Sequence, residues 1–153
     1  MHALDKKIPP PVVGLLVAGL MWGLAAWPPA LGLPAGVRLP LAAALAVAGV
    51  GFDILGLVAF RRHRTTINPL RPERTSALVT GGVYRITRNP MYVGLALLLT
   101  AWAVWLSALW PFAGPALFVA YINRFQIVPE ERVLEEKFGD EFRAYAARVR
   151  RWL

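Results

Sequence analysis

Four apolar stretches, with nearly all positive charge gathered on one side of them, constrain this chain more than any other feature. The stretches run over Pro11–Trp27, Leu39–Phe60, Met91–Leu109 and Phe112–Val128. Of the seventeen Lys and Arg residues, sixteen fall before the first stretch, between the second and third, or towards the end of the chain. Only Arg38 lies in a connection that would face the other way. Open strands cannot cross lipid with their backbone groups unpaired, so spans of this kind must be helices. The positive-inside tendency then places both termini and the long loop 61–90 in the cytoplasm. The expected fold is an all-α integral membrane bundle of four transmembrane helices with a cytoplasmic, amphipathic helical tail over 129–153.

Composition narrows the partners. The net charge of +8 would suit a nucleic-acid binder, but the basic residues flank apolar spans and leave no soluble basic domain. Attraction to anionic headgroups accounts for them, so membrane lipids and no nucleic acid are the expected partners. Without cysteine, and with only His2 and His63, the chain offers neither a thiolate nor a histidine-rich metal set. No metal site is expected. Lys6 and Lys7 ahead of an apolar run resemble a signal peptide, yet three more spans follow, so the run reads as a retained first helix. Pro28, Pro29 and Pro34 punctuate the first connection, and Pro111 marks a tight one between the third and fourth spans. Several tryptophans are placed as interfacial anchors.

In the tail, Leu134, Phe138, Phe142, Tyr145, Val149 and Trp152 recur every three or four residues, giving one apolar face. Gly139 is expected to end one short helix and Asp140 to cap the next. Gly19 with Gly23, and Gly49 with Gly56, make small-residue pairs suited to close helix packing.

Three places carry chemistry. Asp53 is a carboxylate inside the second span, where an ionisable group is costly and therefore a functional candidate. A structural hydrogen bond to a neighbouring helix is the competing explanation. The second place is 81–92. Two glycines there let a ligand approach the backbone, and Arg85 and Arg88, three apart, suit one anionic group. Pro90 suits the first turn of a helix whose free N–H groups would meet an anion. Taken alone, this segment equally suits a basic loop gripping lipid headgroups. The third place is Glu130–Glu131. Adjacent carboxylates on a helix point to different sides, so they suit separate partners better than a catalytic pair.

The second and third places together resemble the isoprenylcysteine carboxyl methyltransferase and phospholipid methyltransferase superfamily. That family has a stretch like Gly-Pro-Tyr-Arg-x-x-Arg-His/Asn-Pro-x-Tyr-x-Gly. Here it reads Gly82-Val83-Tyr84-Arg85-Ile86-Thr87-Arg88-Asn89-Pro90-Met91-Tyr92-Val93-Gly94. The family tail has paired glutamates, Leu, Phe-Gly and two spaced aromatics, matched by Glu130-Glu131, Leu134, Phe138-Gly139, Phe142 and Tyr145. Val83 stands where proline is common, Asn89 where eukaryotic members have histidine, and Phe142 where tyrosine is frequent. The likeness spans about 65–152 and is to bacterial-type members.

The resemblance implies an integral enzyme of the bacterial inner membrane. It would use S-adenosylmethionine at the cytoplasmic face to methylate a lipophilic acceptor entering from the bilayer. It implies cofactor contacts from Tyr84, Arg85, Arg88, Asn89, Pro90, Met91, Tyr92, Glu130, Glu131 and Tyr145. Glu131, Arg88 and Asp53 are the catalytic candidates. Two alternatives remain at this level: a sterol-reductase-like membrane enzyme using NADPH, and a non-catalytic protein binding anionic lipid. Neither the acceptor nor the oligomeric state is legible.

Overall fold

A computed structural model describes residues 7–62 and 77–153. Among these residues the chain is helical and has no strand, and one isolated β-bridge joins Ala30 to Ala108. Lys6 and the part of the 61–90 loop from 63 to 76 lie outside the described residues. The helices are α1 (Pro10–Leu24), α2 (Ala35–Arg62), α3 (Pro90–Leu106), α4 (Ala113–Ile122), α5 (Val128–Phe138) and α6 (Asp140–Arg148). A short 3₁₀ turn, Gly82–Arg85, precedes α3, and another, Trp110–Phe112, makes the tight turn expected at Pro111.

The helix ends differ from the sequence expectation for local reasons. The first helix closes at Leu24, not at residue 27. The second starts at Ala35, directly after Pro34, rather than at 39. The third stops at Leu106 because Ser107 takes a left-handed conformation, φ 52°, and turns its N–H back onto Ala103 and Val104. The fourth departs most. No break separates it from the tail at residue 128, since α4 runs through a π-helical segment, Asn123–Ile127, into α5. Pro129 explains the widened turn. Its ring would collide with the carbonyl four residues back and its nitrogen has no hydrogen to give, and a π turn relieves both faults without ending the helix.

Only Ala35–Arg61, 27 residues at mean hydropathy 2.2, is long and apolar enough to cross a bilayer among the described helices. The shorter apolar helices α1 and α3 have 15 and 17 residues. A helix of 17 residues rises about 26 Å.

Helix α3 is the centre of the bundle. One side of it packs with α1 and α4 around Val13, Met21, Leu99, Ala103, Phe118 and Ile122. The other side receives α2 so closely that a Cβ on Gly94 would sit 2.7 Å from the Gly49 carbonyl oxygen and collide with the Asp53 carboxylate. Glycine at 94 is therefore what lets the two backbones meet. Gly49 and Gly56 both face α3, as the small-residue spacing foretold, whereas a Cβ on Gly19 or Gly23 would meet nothing within 4 Å among the described residues.

At the far end of the bundle Trp105 and Trp110 are about half exposed, and Trp22 and Trp27 more so. Trp102 instead turns inward and donates to the Ala18 carbonyl at 3.2 Å.

Candidate functional site

The segment ahead of α3 and the start of α5 meet in space through two carboxylates that point apart. Glu131 faces the loop. Its Oε1 accepts from Arg88 at 2.7 Å and from Arg151 Nε at 3.0 Å, while Oε2 accepts from Arg151 at 2.5 Å. The Arg88 and Glu131 side chains are only 13% and 18% exposed, so this pair is held in a medium of reduced dielectric. Glu130 faces inward. Its Oε1 accepts from the Tyr92 hydroxyl at 2.7 Å and from Gln126 Nε2 at 2.8 Å. The 100° step between consecutive helical residues produces this division of labour.

Arg88 does more than pair with Glu131. Its NH1 donates to the carbonyls of Ala146 and Val149 at 2.8 and 2.9 Å, which are orphan acceptors at the end of α6. A cation there also faces the negative end of the helix dipole. Three further bonds fix the loop to the strand-like stretch after α6. The Arg88 backbone N–H donates to the Arg150 carbonyl at 2.9 Å. The Thr87 hydroxyl and Asn89 Nδ2 both donate to the Arg151 carbonyl, at 3.1 and 2.9 Å. Thr87 is fully buried, and its oxygen also accepts from the Asn89 N–H at 3.2 Å. Asn89 precedes α3 in the capping position yet makes no side-chain cap, because its amide is engaged with residue 151.

Two tyrosines complete the cluster. The Tyr145 hydroxyl donates to the Tyr84 carbonyl at 2.7 Å, clamping α6 onto the 3₁₀ turn. Burial pushes Tyr145 up to about 12, against the opposing pull of the Arg88 charge. Tyr84 is raised further, first by burial and then by Tyr145 and Glu130. Its ring meets Phe60 edge-on at 5.5 Å, which anchors the turn to the end of α2. The hydrogen bonds to Glu131, followed by that carboxylate's charge, raise Arg151.

Placed against the sequence expectation, Tyr84, Arg88, Asn89, Pro90, Tyr92, Glu130, Glu131 and Tyr145 converge. Arg85 does not: it is exposed and does not face a common anion with Arg88, because the 3₁₀ turn points the two side chains apart. Met91 packs towards Gly56 on the α2 side. Asp53 lies against Gly94 within the α2–α3 contact and makes no described bond to Arg88 or Glu131. The expected cap at Asp140 is also absent. Gly139, at φ 50° and ψ −120°, breaks the chain between α5 and α6, and Asp140 accepts from Arg143 instead.

Sequence reasoning overlooked Arg151, Thr87 and Gln126 as members of this cluster. Gln126 left a signal, being a polar residue inside an apolar span, where polar groups seek partners. Arg151 left none, since one arginine in a basic tail looks like its neighbours.

Comparison with known proteins decides the family. A profile of the phospholipid methyltransferase family matches residues 37–141, more than half of the chain. The chain belongs to the phospholipid methyltransferase family. That family is part of the isoprenylcysteine carboxyl methyltransferase-like superfamily. The matched region holds the loop ahead of α3 and both glutamates, while Tyr145 and Arg151 lie beyond it. An uncharacterized protein of Haemophilus influenzae is 51% identical over 63 residues, which cover 41% of this chain and all of that relative. No solved structure matches the chain. Family membership and the 27-residue apolar helix together point to a membrane methyltransferase.

Proposed function

We propose that this chain is an integral membrane methyltransferase with four membrane-crossing segments, α1, α2, α3 and the upper part of the α4–α5 helix. The Arg88 end faces the cytoplasm, and the methyl donor is S-adenosylmethionine. The observation that carries this reading is the Arg88–Glu131 pair, which brings the family's two characteristic segments into one polar cluster at one end of the bundle.

The donor set fits such a cofactor. Arg88 supplies a cation for a carboxylate, and its buried Nε has no hydrogen-bond partner among the described residues. Glu131 suits a ribose diol or an ammonium group, Asn89 and the start of α3 suit the amino-acid portion, and Tyr92 and Tyr145 offer aromatic faces. Bound there, S-adenosylmethionine would supply an electrophilic methyl on a sulfonium. The side chains now satisfy one another, so admitting a ligand exchanges some of these internal bonds for bonds of the same kind. Holding donor and acceptor in line, shielded from water by residues 149–152, would provide much of the acceleration. The acceptor is a lipid or another lipophilic molecule reached from the bilayer. An amine acceptor has to lose a proton and a carboxylate acceptor does not. Asp53, Glu130 and Glu131 are the carboxylates within reach of that role.

Calorimetric titration of the purified protein with S-adenosylhomocysteine and with NADPH tests this. Binding of the first and not the second is expected, with Glu131→Gln weakening it. Binding of NADPH alone would replace the reading with a reductase. Mass spectrometry of membrane lipids incubated with isotopically labelled methyl donor then identifies the acceptor.

A further inference from the structure

A second feature adjoins the polar cluster. Between α3 and α4 lies an open groove of about 350 Å³, walled by Val93, Ala96, Leu97, Thr100, Val119 and Trp152. Its near end is continuous with the cluster on two sides. Val93 sits in the first turn of α3 and donates its N–H to the Asn89 carbonyl at 3.0 Å. Trp152 directly follows Arg151, which is bound to Glu131. From Val93 to Thr100 the groove follows α3 for about 10 Å at the helical rise.

The walls determine what suits the groove. The Thr100 hydroxyl donates back to the Ala96 carbonyl at 2.8 Å, so the one hydroxyl in the wall is already satisfied. A polar occupant would lose its bonds to water and gain none here, which is costly. A partner helix, about 10 Å across, is too thick for a groove of this size. A single hydrocarbon chain meets both limits.

We propose that this groove holds one acyl chain of the acceptor lipid, and that Trp152 positions that chain so that the headgroup arrives at the Arg88–Glu131 end. The assignment rests on the methyltransferase reading for the reaction, though not for the binding. Trp152 is a positioning residue here. It touches the chain on one side and, through its neighbour Arg151, fixes the polar cluster on the other.

The test uses the full chain in nanodiscs containing a phosphatidylethanolamine with a diazirine midway along one acyl chain. After irradiation, the labelled residues are mapped by peptide mass spectrometry. Label is expected over 93–100 and at Val119, about tenfold above exposed positions elsewhere such as Leu15 and Val47, corresponding to about 1.4 kcal/mol of preference. Thr100→Trp fills the groove from one wall and Val119→Phe from the other, and each should remove that excess. Trp152→Ala should spread the label along α3, and Trp152→Phe should restore its focus. A loss of packing alone would not give that rescue. Label spread evenly over all apolar helices, or an excess that survives both filling variants with unchanged melting temperature, overturns the proposal. S-adenosylhomocysteine titration of the same samples separates the two readings. Groove labelling without nucleoside binding keeps the lipid site and removes the reaction.

Discussion

The two ends of the bundle are closed by different chemistry. At the Ser107 end the connections are tied almost entirely by neutral bonds. Leu31 N–H donates to the Ser107 carbonyl at 2.8 Å, Leu33 N–H to the Ser107 hydroxyl at 2.9 Å, and the Trp110 indole to the Pro28 carbonyl at 2.9 Å. One cation, Arg38, lies over the Trp105 ring at 5.6 Å. At the Arg88 end, two arginines share one carboxylate, a second carboxylate takes a tyrosine and a glutamine, and buried side chains hold a neighbouring stretch by its carbonyls. Neutral backbone bonds are enough to close a connection. A cluster of charges costs desolvation and persists only when each member is paired. The expensive end is therefore the one with work beyond closure.

That contrast can be broken or sharpened by substitution. Arg88→Ala should have the largest effect. It leaves Glu131 short of a partner and two carbonyls at the end of α6 uncapped, and removing one member of a largely buried pair costs about 3–5 kcal/mol. A clear fall in melting temperature with loss of S-adenosylhomocysteine binding is expected. A variant that melts like the parent would place the cluster's stability elsewhere.

Gly94→Ala comes next and strikes neither end. The added methyl would overlap the Asp53 carboxylate and the Gly49 carbonyl, prying α2 from α3 at about 1–3 kcal/mol by overpacking. Urea titration in detergent measures it, and an unchanged midpoint would mean that the helices are not in such close contact.

Tyr145→Phe removes the clamp on the Tyr84 carbonyl and should cost about 1–2 kcal/mol, as for a buried acceptor left unpaired. It also has a signature in pH. The Tyr145 hydroxyl is raised from 10.0 to about 12, so its contribution is complete below pH 10 and is lost as pH climbs towards 12. The parent should lose stability faster than the variant across that window. Identical alkaline profiles would remove Tyr145 from the account.

Ser107→Ala is the mildest. It deletes one neutral bond to Leu33 and should cost about 0.5–1.5 kcal/mol. Nucleoside binding should stay intact. If binding suffered as much as in Arg88→Ala, the two ends would not be functionally distinct.

Helical character, the paired glutamates facing apart, the breakpoint at Gly139 and the loop ahead of α3 could all be read from residue order, because each is a local matter of periodicity or backbone freedom. Arg88 was legible as a site residue too, through the family motif, but not as the cap of α6. The helix that supplies those carbonyls is some sixty positions away, and no spacing rule links the two. Arg85 shows the reverse. Its spacing from Arg88 suggested a shared anion, and the 3₁₀ turn separated them. Asp53 was conspicuous as a carboxylate in an apolar helix, yet only the approach of Gly94 disclosed its neighbour.

What residue order determined here is the class of element and the family, since apolar runs, charge placement and motif residues act through short-range physics and shared chemistry. What only the folded chain decided is partnership. Arg151 with Glu131, Gln126 with Glu130 and Trp152 with α3 are chosen by proximity between distant segments, and that proximity exists only once the helices have packed.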